Sequence, residues 1–276
     1  MSTLAGHVED GGARVAEFVR SAAVPHLEAR RSCQENSCCR PHSHDAFSIG
    51  IIEAGTSVFA GPVSGSVRLE PGDVIVISAG QVHQCNPDEG SWRYQMIHMD
   101  QGWASTLAGT DRATALFSGV TVLRHPAVLD SCIAWADLIF AGRSADRIAS
   151  GFAELVRELG GAAPECAVTG DTDPVLLDRL RPVLDRLQHD QSNPRLDELA
   201  VFVGLTKYEL VRAVKRATGL APLAWRQNAR IQKARQLLRA GYPIADTAYE
   251  LGFTDQSHFH RVFRAHVAAS PGAYRA

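Results

Sequence analysis

Two periodicities divide the chain. Leu196, Leu199, Ala200 and Val203 fall at i, i+3, i+4 and i+7, the spacing of one buried helical face. Gly204 follows, a residue able to take the positive φ that turns the backbone out of a helix. Leu210, Val214 and Ala217 then resume helical spacing. The same pattern is written again downstream. Ile244, Thr247, Ala248 and Leu251 repeat the first face, Gly252 repeats the turn, and Phe259 and Phe263 stand where Leu210 and Val214 stood. Pro222 corresponds to Pro271 and Trp225 to Tyr274. Each copy therefore predicts a helix, a tight turn and a second helix. Matched glycines, prolines and aromatics make the duplication specific. Between the copies, residues 222–240 read as one long helix with proline near its start and Gly241 past its end.

The N-terminal half has the other rhythm. Residues 47–52, 56–60, 66–69, 74–77 and 92–98 are β-branched or alternating runs of strand length, and Pro71-Gly72-Asp73 is a turn sequence. Short strands at regular spacing predict a small barrel or sandwich. Helical spacing returns in two stripes, Val128, Cys132, Trp135, Ile139 and Ile148, Phe152, Leu155, Leu159, separated near 142–144. Residues 1–35 are polar and read as a loose arm or a short helix around 13–21. The Gly-, Ala- and Pro-rich stretch at 160–170 reads as an interdomain linker. Asp173-Pro174 opens another helix, with Asp173 as its N-cap and Pro182 placed to kink it. The expected organisation is an α+β chain of two domains: an arm (1–35), a barrel with its helices (36–160), a linker (161–172) and an all-α domain (173–276).

Charge sharpens the division. Residues 1–170 carry 12 arginines and no lysine against 19 acids, a net −7, whereas residues 171–276 carry 16 basic side chains against 11 acids, a net +5. Phosphate contacts are expected of the basic half. With Leu210 and Val214 buried, the helix after the first turn exposes Tyr208, Val211, Arg212 and Lys215. Its counterpart exposes Gln256, Ser257, His260, Arg261 and Arg264. Arg and Gln match guanine and adenine edges, while Lys and Arg further along a helix more often meet phosphate. About nineteen helical residues at ~1.5 Å span ~28 Å, near the ~34 Å of one duplex turn, so both helices could enter successive major grooves.

No apolar run approaches a membrane span and no leader-like start precedes the arm, so a soluble, cytoplasmic protein without membrane contact is expected. The six cysteines, Cys33, Cys38, Cys39, Cys85, Cys132 and Cys166, are then expected to be thiols.

The segments LDELAVFVGLTKYELVRAVKRATGLAP, RIQKARQLL and IADTAYELGFTDQSHFHRVFRAHVAASPGAYR resemble the DNA-binding domain of the AraC/XylS family of transcription regulators. The resemblance implies base reading by Tyr208, Val211 and Arg212 in the first helix and by Gln256, Ser257, His260 and Arg261 in the second. Val211 stands where many members are polar and offers only a methyl to thymine. PHSHDAFSIG, the EAG turn, LEPGDVIVIS and AGQVHQCNP are similar to the cupin-type sensory barrel of the same family. The family further implies a double-stranded promoter or operator, a small-molecule effector, RNA polymerase and a homodimer formed through the helices after the barrel, with activation as the usual output.

Inside that barrel, His42 and His44 would share a strand face, His83 sits where a cupin's second motif delivers a histidine, and Cys85 follows two residues on. With Tyr94 these are the candidate effector-binding residues. His42, His44, His83 and Cys85 also suit Zn²⁺ by donor type. The glutamate of metal-binding cupins is absent, with Ser48 and Ile49 near its place, and Ser78 replaces the proline before Gly80. An organic pocket, a metal site and structural histidines all remain open. A thiol sensor built with Cys33, Cys38 and Cys39 is a variant of the second. A metal-dependent cupin enzyme is a further alternative, but no glutamate or tyrosine is placed as acid or base, and the chain is read as a non-enzyme.

Overall fold

The structure, a computed structural model, describes residues 15–35, 39–61, 66–109, 116–168, 173–190 and 193–275. Cys38 lies outside them. Two antiparallel sheets form the N-terminal unit: seven strands in the order β1-β2-β8-β3-β6-β9-β10, and three in the order β5-β4-β7. The strands are β1 (Val15–Arg20), β2 (Glu28–Glu35), β3 (Phe47–Ala54), β4 (Ser57–Ala60), β5 (Ser66–Leu69), β6 (Val74–Ile77), β7 (Gln84–Pro87), β8 (Ser91–Met99), β9 (Val120–Leu123) and β10 (Cys166–Val168).

Strict alternation sorts the side chains of the large sheet. Phe47, Ile49 and Ile51 of β3, Val74 and Val76 of β6, and Ile97 and Met99 of β8 point to one face. Covering that face are α2 (Pro126–Phe140) and α3 (Ala145–Gly161), through Val128, Cys132, Trp135, Ile139, Ile148, Phe152, Leu155 and Leu159. Both sequence-predicted helical stripes are thus used within the chain. A short helix α1 (Gln101–Ala108) joins the same cluster through Ala104. The alternate residues, Ile52, Ile75, Ile77, Trp92, Tyr94 and Met96, face inward toward Phe59 and Leu69 of the small sheet.

Two boundaries differ from the sequence expectation. Residues 15–35 are neither a loose arm nor a short helix. They form a hairpin, β1 on β2, with β2 paired along its length to β8 from Glu28↔His98 to Glu35↔Ser91. The sequence of β2, EARRSCQE, is polar on both faces, because one face looks into a polar interior. Likewise, Cys166–Val168 of the expected linker adds a strand against β9. The described residues of the N-terminal unit also contact the C-terminal domain directly, so the two are docked and not loosely tethered.

The C-terminal domain follows the sequence closely. It comprises α4 (Pro174–His189), α5 (Leu196–Phe202), α6 (Lys207–Thr218), α7 (Pro222–Arg239), α8 (Ile244–Glu250), α9 (Gln256–Val267) and α10 (Pro271–Arg275). Asp173 caps α4 by accepting from the N–H groups of Val175 and Leu176 at 3.1 and 3.0 Å. The helix runs through Pro182 without interruption. Gly204 and Gly252 take φ of 63° and 68°, the left-handed turn that each repeat requires. Thr206 and Glu209 close a reciprocal capping box at the start of α6. Asp255 accepts from His258 N–H at 2.6 Å at the start of α9. Leu210, Val214 and Ala217 are buried against α4 and α5, and Phe259 and Phe263 against α7, α8 and Tyr274.

Candidate functional site

Parity along β2 and β8 builds the interior. Ala29 and Ile97 belong to the outer, helix-covered face, so Glu28 and Arg30 of β2 and Trp92, Tyr94, Met96 and His98 of β8 turn inward. The segments before β3 and β7 run alongside each other, joined by reciprocal backbone hydrogen bonds between His42 and His83 at 2.9 and 2.8 Å. This places the rings of His42, His44 and His83 within 5.0 Å of one another, centroid to centroid, with His98 4.6 Å from His44. All five expected effector residues, His42, His44, His83, Cys85 and Tyr94, line a single cavity of about 50 Å³.

The donor set decides how far a metal fits. One donor atom from each of His42, His44 and His83 comes within 4.8 Å of the others, and Cys85 stands outside that group. Nδ1 of His42 lies 2.7 Å from the Arg40 carbonyl and Nδ1 of His83 lies 2.9 Å from the Gln81 carbonyl. Both rings are held as metal-bound histidines usually are, with Nε2 free. His44 is turned differently: Arg235 donates to its Nδ1 from 3.3 Å, which leaves the proton of a neutral ring on Nε2. Burial holds the Cys85 thiol protonated, pushed up to about 12. Two of the four expected ligands suit a metal, and two do not.

Burial also dominates the histidines. It lowers His42, His44 and His98 well below the ordinary range, with neighbouring positive charge acting in the same direction, and brings His83 to about 4. The rings are neutral at physiological pH. Burial raises Tyr94 to about 12, so its phenol stays protonated while accepting from Arg30 Nη2 and, at 2.6 Å, from Gln34 Nε2.

The other part of the wall is the C-terminal domain. Asn228, Ile231, Gln232 and Arg235 of α7, with His266 and Val267 of α9, close the cavity. Asn228 and Ser43 exchange two hydrogen bonds, N–H to Oδ1 at 3.1 Å and Nδ2 to Oγ at 3.0 Å, and Gln232 donates to the Ser43 carbonyl at 2.9 Å. Beside them, Glu28 accepts from Arg235 Nη2 at 3.0 Å and from the Tyr274 hydroxyl at 2.7 Å, and pairs with Arg20 at 3.3 Å. Burial pushes the Glu28 carboxyl up, but Arg235, His98, the Tyr274 hydrogen bond and Arg20 outweigh it and hold it at about 2. Sequence reasoning missed Glu28, Arg30, His98, Asn228 and Arg235. His98 was accessible to it, since it shares the parity of Tyr94. The helix residues carry no local signal of a contact with a segment nearly 200 positions away.

The expected DNA-reading side chains stand on the far sides of α6 and α9. Tyr208, Arg212 and Lys215 are exposed and Val211 is half-buried. Gln256, Ser257, His260, Arg261 and Arg264 together line one open depression of about 420 Å³. The intervening α7 has 18 residues, about 27 Å of helix. An exposed, Arg- and Gln-bearing helix after a tight turn, presented twice, is the geometry of a helix-turn-helix protein that grips adjacent major grooves.

Duplicated reading helices and an internal chamber on one chain define a ligand-responsive DNA-binding regulator. The comparisons agree. A family model described as an AraC-like ligand binding domain matches residues 24–202, well over half of the chain, and one described as a helix-turn-helix domain matches residues 199–276. The chain belongs to the AraC family of transcription regulators, and it is a regulator and not an enzyme. It is 27% identical to an uncharacterised helix-turn-helix transcriptional regulator of Bacillus subtilis (strain 168), over 84% of this chain and 86% of that one. It is 26% identical to the arabinose operon regulatory protein of Escherichia coli (strain K12), over 75% and 72%. In fold it is similar to ToxT from Vibrio cholerae O395, with a TM-score of 0.56 at 12% identity over 91% of this chain and 97% of that one. No helix among the described residues is long and apolar enough to cross a membrane.

Proposed function

We propose that the cavity between barrel and α7 is the effector site, and that its occupant sets how the DNA-binding domain is held. One observation carries the reading: the chamber lined by His42, His83 and Tyr94 is closed by Asn228 and Arg235, which belong to the helix that spaces the two helix-turn-helix units. An occupant that favours one docking geometry over another shifts the population able to span two grooves. Tyr208, Val211, Arg212, Gln256, Ser257, His260 and Arg261 would read bases, and Lys215 and Arg264 would meet phosphates.

The test needs no knowledge of the effector. Ser43→Cys with Asn228→Cys replaces the reciprocal hydrogen bonds by a disulfide that locks the seam. Footprinting on the chain's own upstream region supplies the operator, and binding is compared before and after reduction. Locked and reduced protein should differ roughly tenfold in operator affinity. Equal affinities would remove the coupling.

The grouping of His42, His44 and His83 favours a second reading, a Zn²⁺-responsive regulator. Arg235 beside His44 opposes a dication there. Metal analysis of purified protein separates the two, stoichiometric zinc supporting the second. Family membership supports a homodimer, contact with RNA polymerase and activation. Sedimentation and transcription from the footprinted promoter test these.

A further inference from the structure

The barrel does not meet the two reading helices alike. α9 ends at Val267, and the carbonyls of a helix's last turn have no partner inside the helix. Two of them are met from the barrel: the Arg40 N–H donates to the Ala265 carbonyl at 3.2 Å, and Arg30 Nη1 donates to the Val267 carbonyl at 2.5 Å. A guanidinium at this end of a helix also complements the helix dipole. Arg30 Nη2 donates to the Tyr94 hydroxyl on the cavity wall, so one side chain joins cavity and helix. Ala268, next along the chain, has a φ of 57°. Among the described residues only Asn193 shares a positive φ without being glycine. For alanine the left-handed conformation is unfavourable and persists where surrounding contacts impose it.

α6 is finished within its own domain. Its C-cap is Gly219, whose φ of 79° is unstrained for glycine and whose N–H donates to the Lys215 carbonyl at 2.8 Å. Among the described residues no hydrogen bond joins α6 to the barrel, and a cleft of about 210 Å³ lined by Arg40, Pro41, Lys215 and Gly219 lies between them. Packing repeats the contrast. The cluster that seats Phe259 and Phe263 includes Phe18 of β1, whereas the cluster that seats Leu210 and Val214 draws only on residues from Leu176 to Trp225.

We propose that Arg30 is a positioning residue for the second reading helix, capping α9 from the barrel, so that docking controls this helix and leaves α6 untouched. The proposal rests on the reading of the seam as the contact that the effector controls. It makes the two half-operators unequal: one is read in every state of the chain, and the other only as the barrel permits.

Amide hydrogen exchange of the full chain, free of DNA, tests the cap. Arg30→Met should speed exchange in the last turn of α9, residues 263–268, about tenfold and leave residues 214–219 of α6 unchanged. Arg30→Lys, which keeps a donor for the carbonyl, should restore protection. Ala268→Gly relaxes the turn and should shrink the Arg30→Met effect to about threefold or less. Gel shifts then test the reading, the half-sites being assigned by which base preference Arg261→Ala relaxes. Arg30→Met should change operator affinity about tenfold, an effect that persists when the α6 half-site is scrambled and falls below about twofold when the α9 half-site is scrambled. Equal dependence on both half-sites, or exchange in α9 that ignores position 30, overturns the proposal. The Ser43–Asn228 lock separates this from the effector reading. A lock that alters operator affinity, beside an Arg30→Met effect shared by both half-sites, sinks the role of Arg30 and spares the coupled seam. A lock without effect, beside an Arg30→Met effect confined to the α9 half-site, does the reverse.

Discussion

Glu28→Gln removes the buried carboxylate that Arg235 meets at the seam between the two domains. Glu28 is 2% exposed and Arg235 6%, and they meet at 3.0 Å. The carboxyl lies at about 2 against an ordinary 4.5, and that separation corresponds to about 3 kcal/mol in favour of the ionised, docked state. Removing one partner of a buried pair typically costs about 3–5 kcal/mol, because the other charge stays buried and uncompensated. The two routes agree. After Glu28→Gln, the hydrogen-bond acceptors of Arg235 are neutral: the new amide oxygen, Tyr274 Oη and His44 Nδ1. Arg235→Met should cost less, since Glu28 keeps Arg20 and Tyr274. The double variant should regain about 1–3 kcal/mol relative to additivity, measured by urea titration with limited proteolysis of the 15–35 hairpin as a second probe. The stabilisation is complete above about pH 4.5 and disappears as pH falls through about 2, whereas Glu28→Gln should lose this pH dependence. Additivity within about 0.5 kcal/mol would refute the latch.

Two further outcomes follow. Arg212→Ala and Arg261→Ala should each cost about 1–3 kcal/mol of operator binding and relax base preference locally, while Lys215→Ala and Arg264→Ala should weaken binding to all sequences and lower the salt slope by about 1. Gel shifts across a salt series, on operator and on scrambled DNA, separate the two behaviours. Cys85 and Cys132, both pushed up to about 12 by burial, should stay unmodified by iodoacetamide at pH 8, where only about one thiol in ten thousand is ionised. Peptide mass mapping of the native protein reads this directly, and rapid alkylation of either would show that it is not shielded.

The C-terminal domain was legible because its signals are local. Helical spacing, the turns at Gly204 and Gly252 and the Thr206 capping box all lie within a few residues of what they determine. Strands such as Val74–Ile77 were legible for the same reason, being apolar runs between turn sequences. The hairpin of β1 and β2 was not, since EARRSCQE alternates without contrast in polarity: Ala29 faces a helix-covered core while Glu28 and Arg30 face a charged chamber. His42, His44, His83 and Tyr94 could be proposed from a motif. Asn228 and Arg235 could not, because their partners Ser43 and Glu28 are joined to them only by the docking of one domain on another.

One rod, α7, answers to both halves of the molecule. Its pitch sets the separation of the helices that would enter the grooves, and its flank supplies the lid over the chamber. Inserting a residue into α7 would rotate everything beyond it by about 100°. Such a change would misalign the second reading helix and unseat the lid together. Under the proposed reading, sensing and reading in this chain are therefore not free to diverge separately, and an insertion that reshapes the chamber through α7 carries the operator spacing along with it.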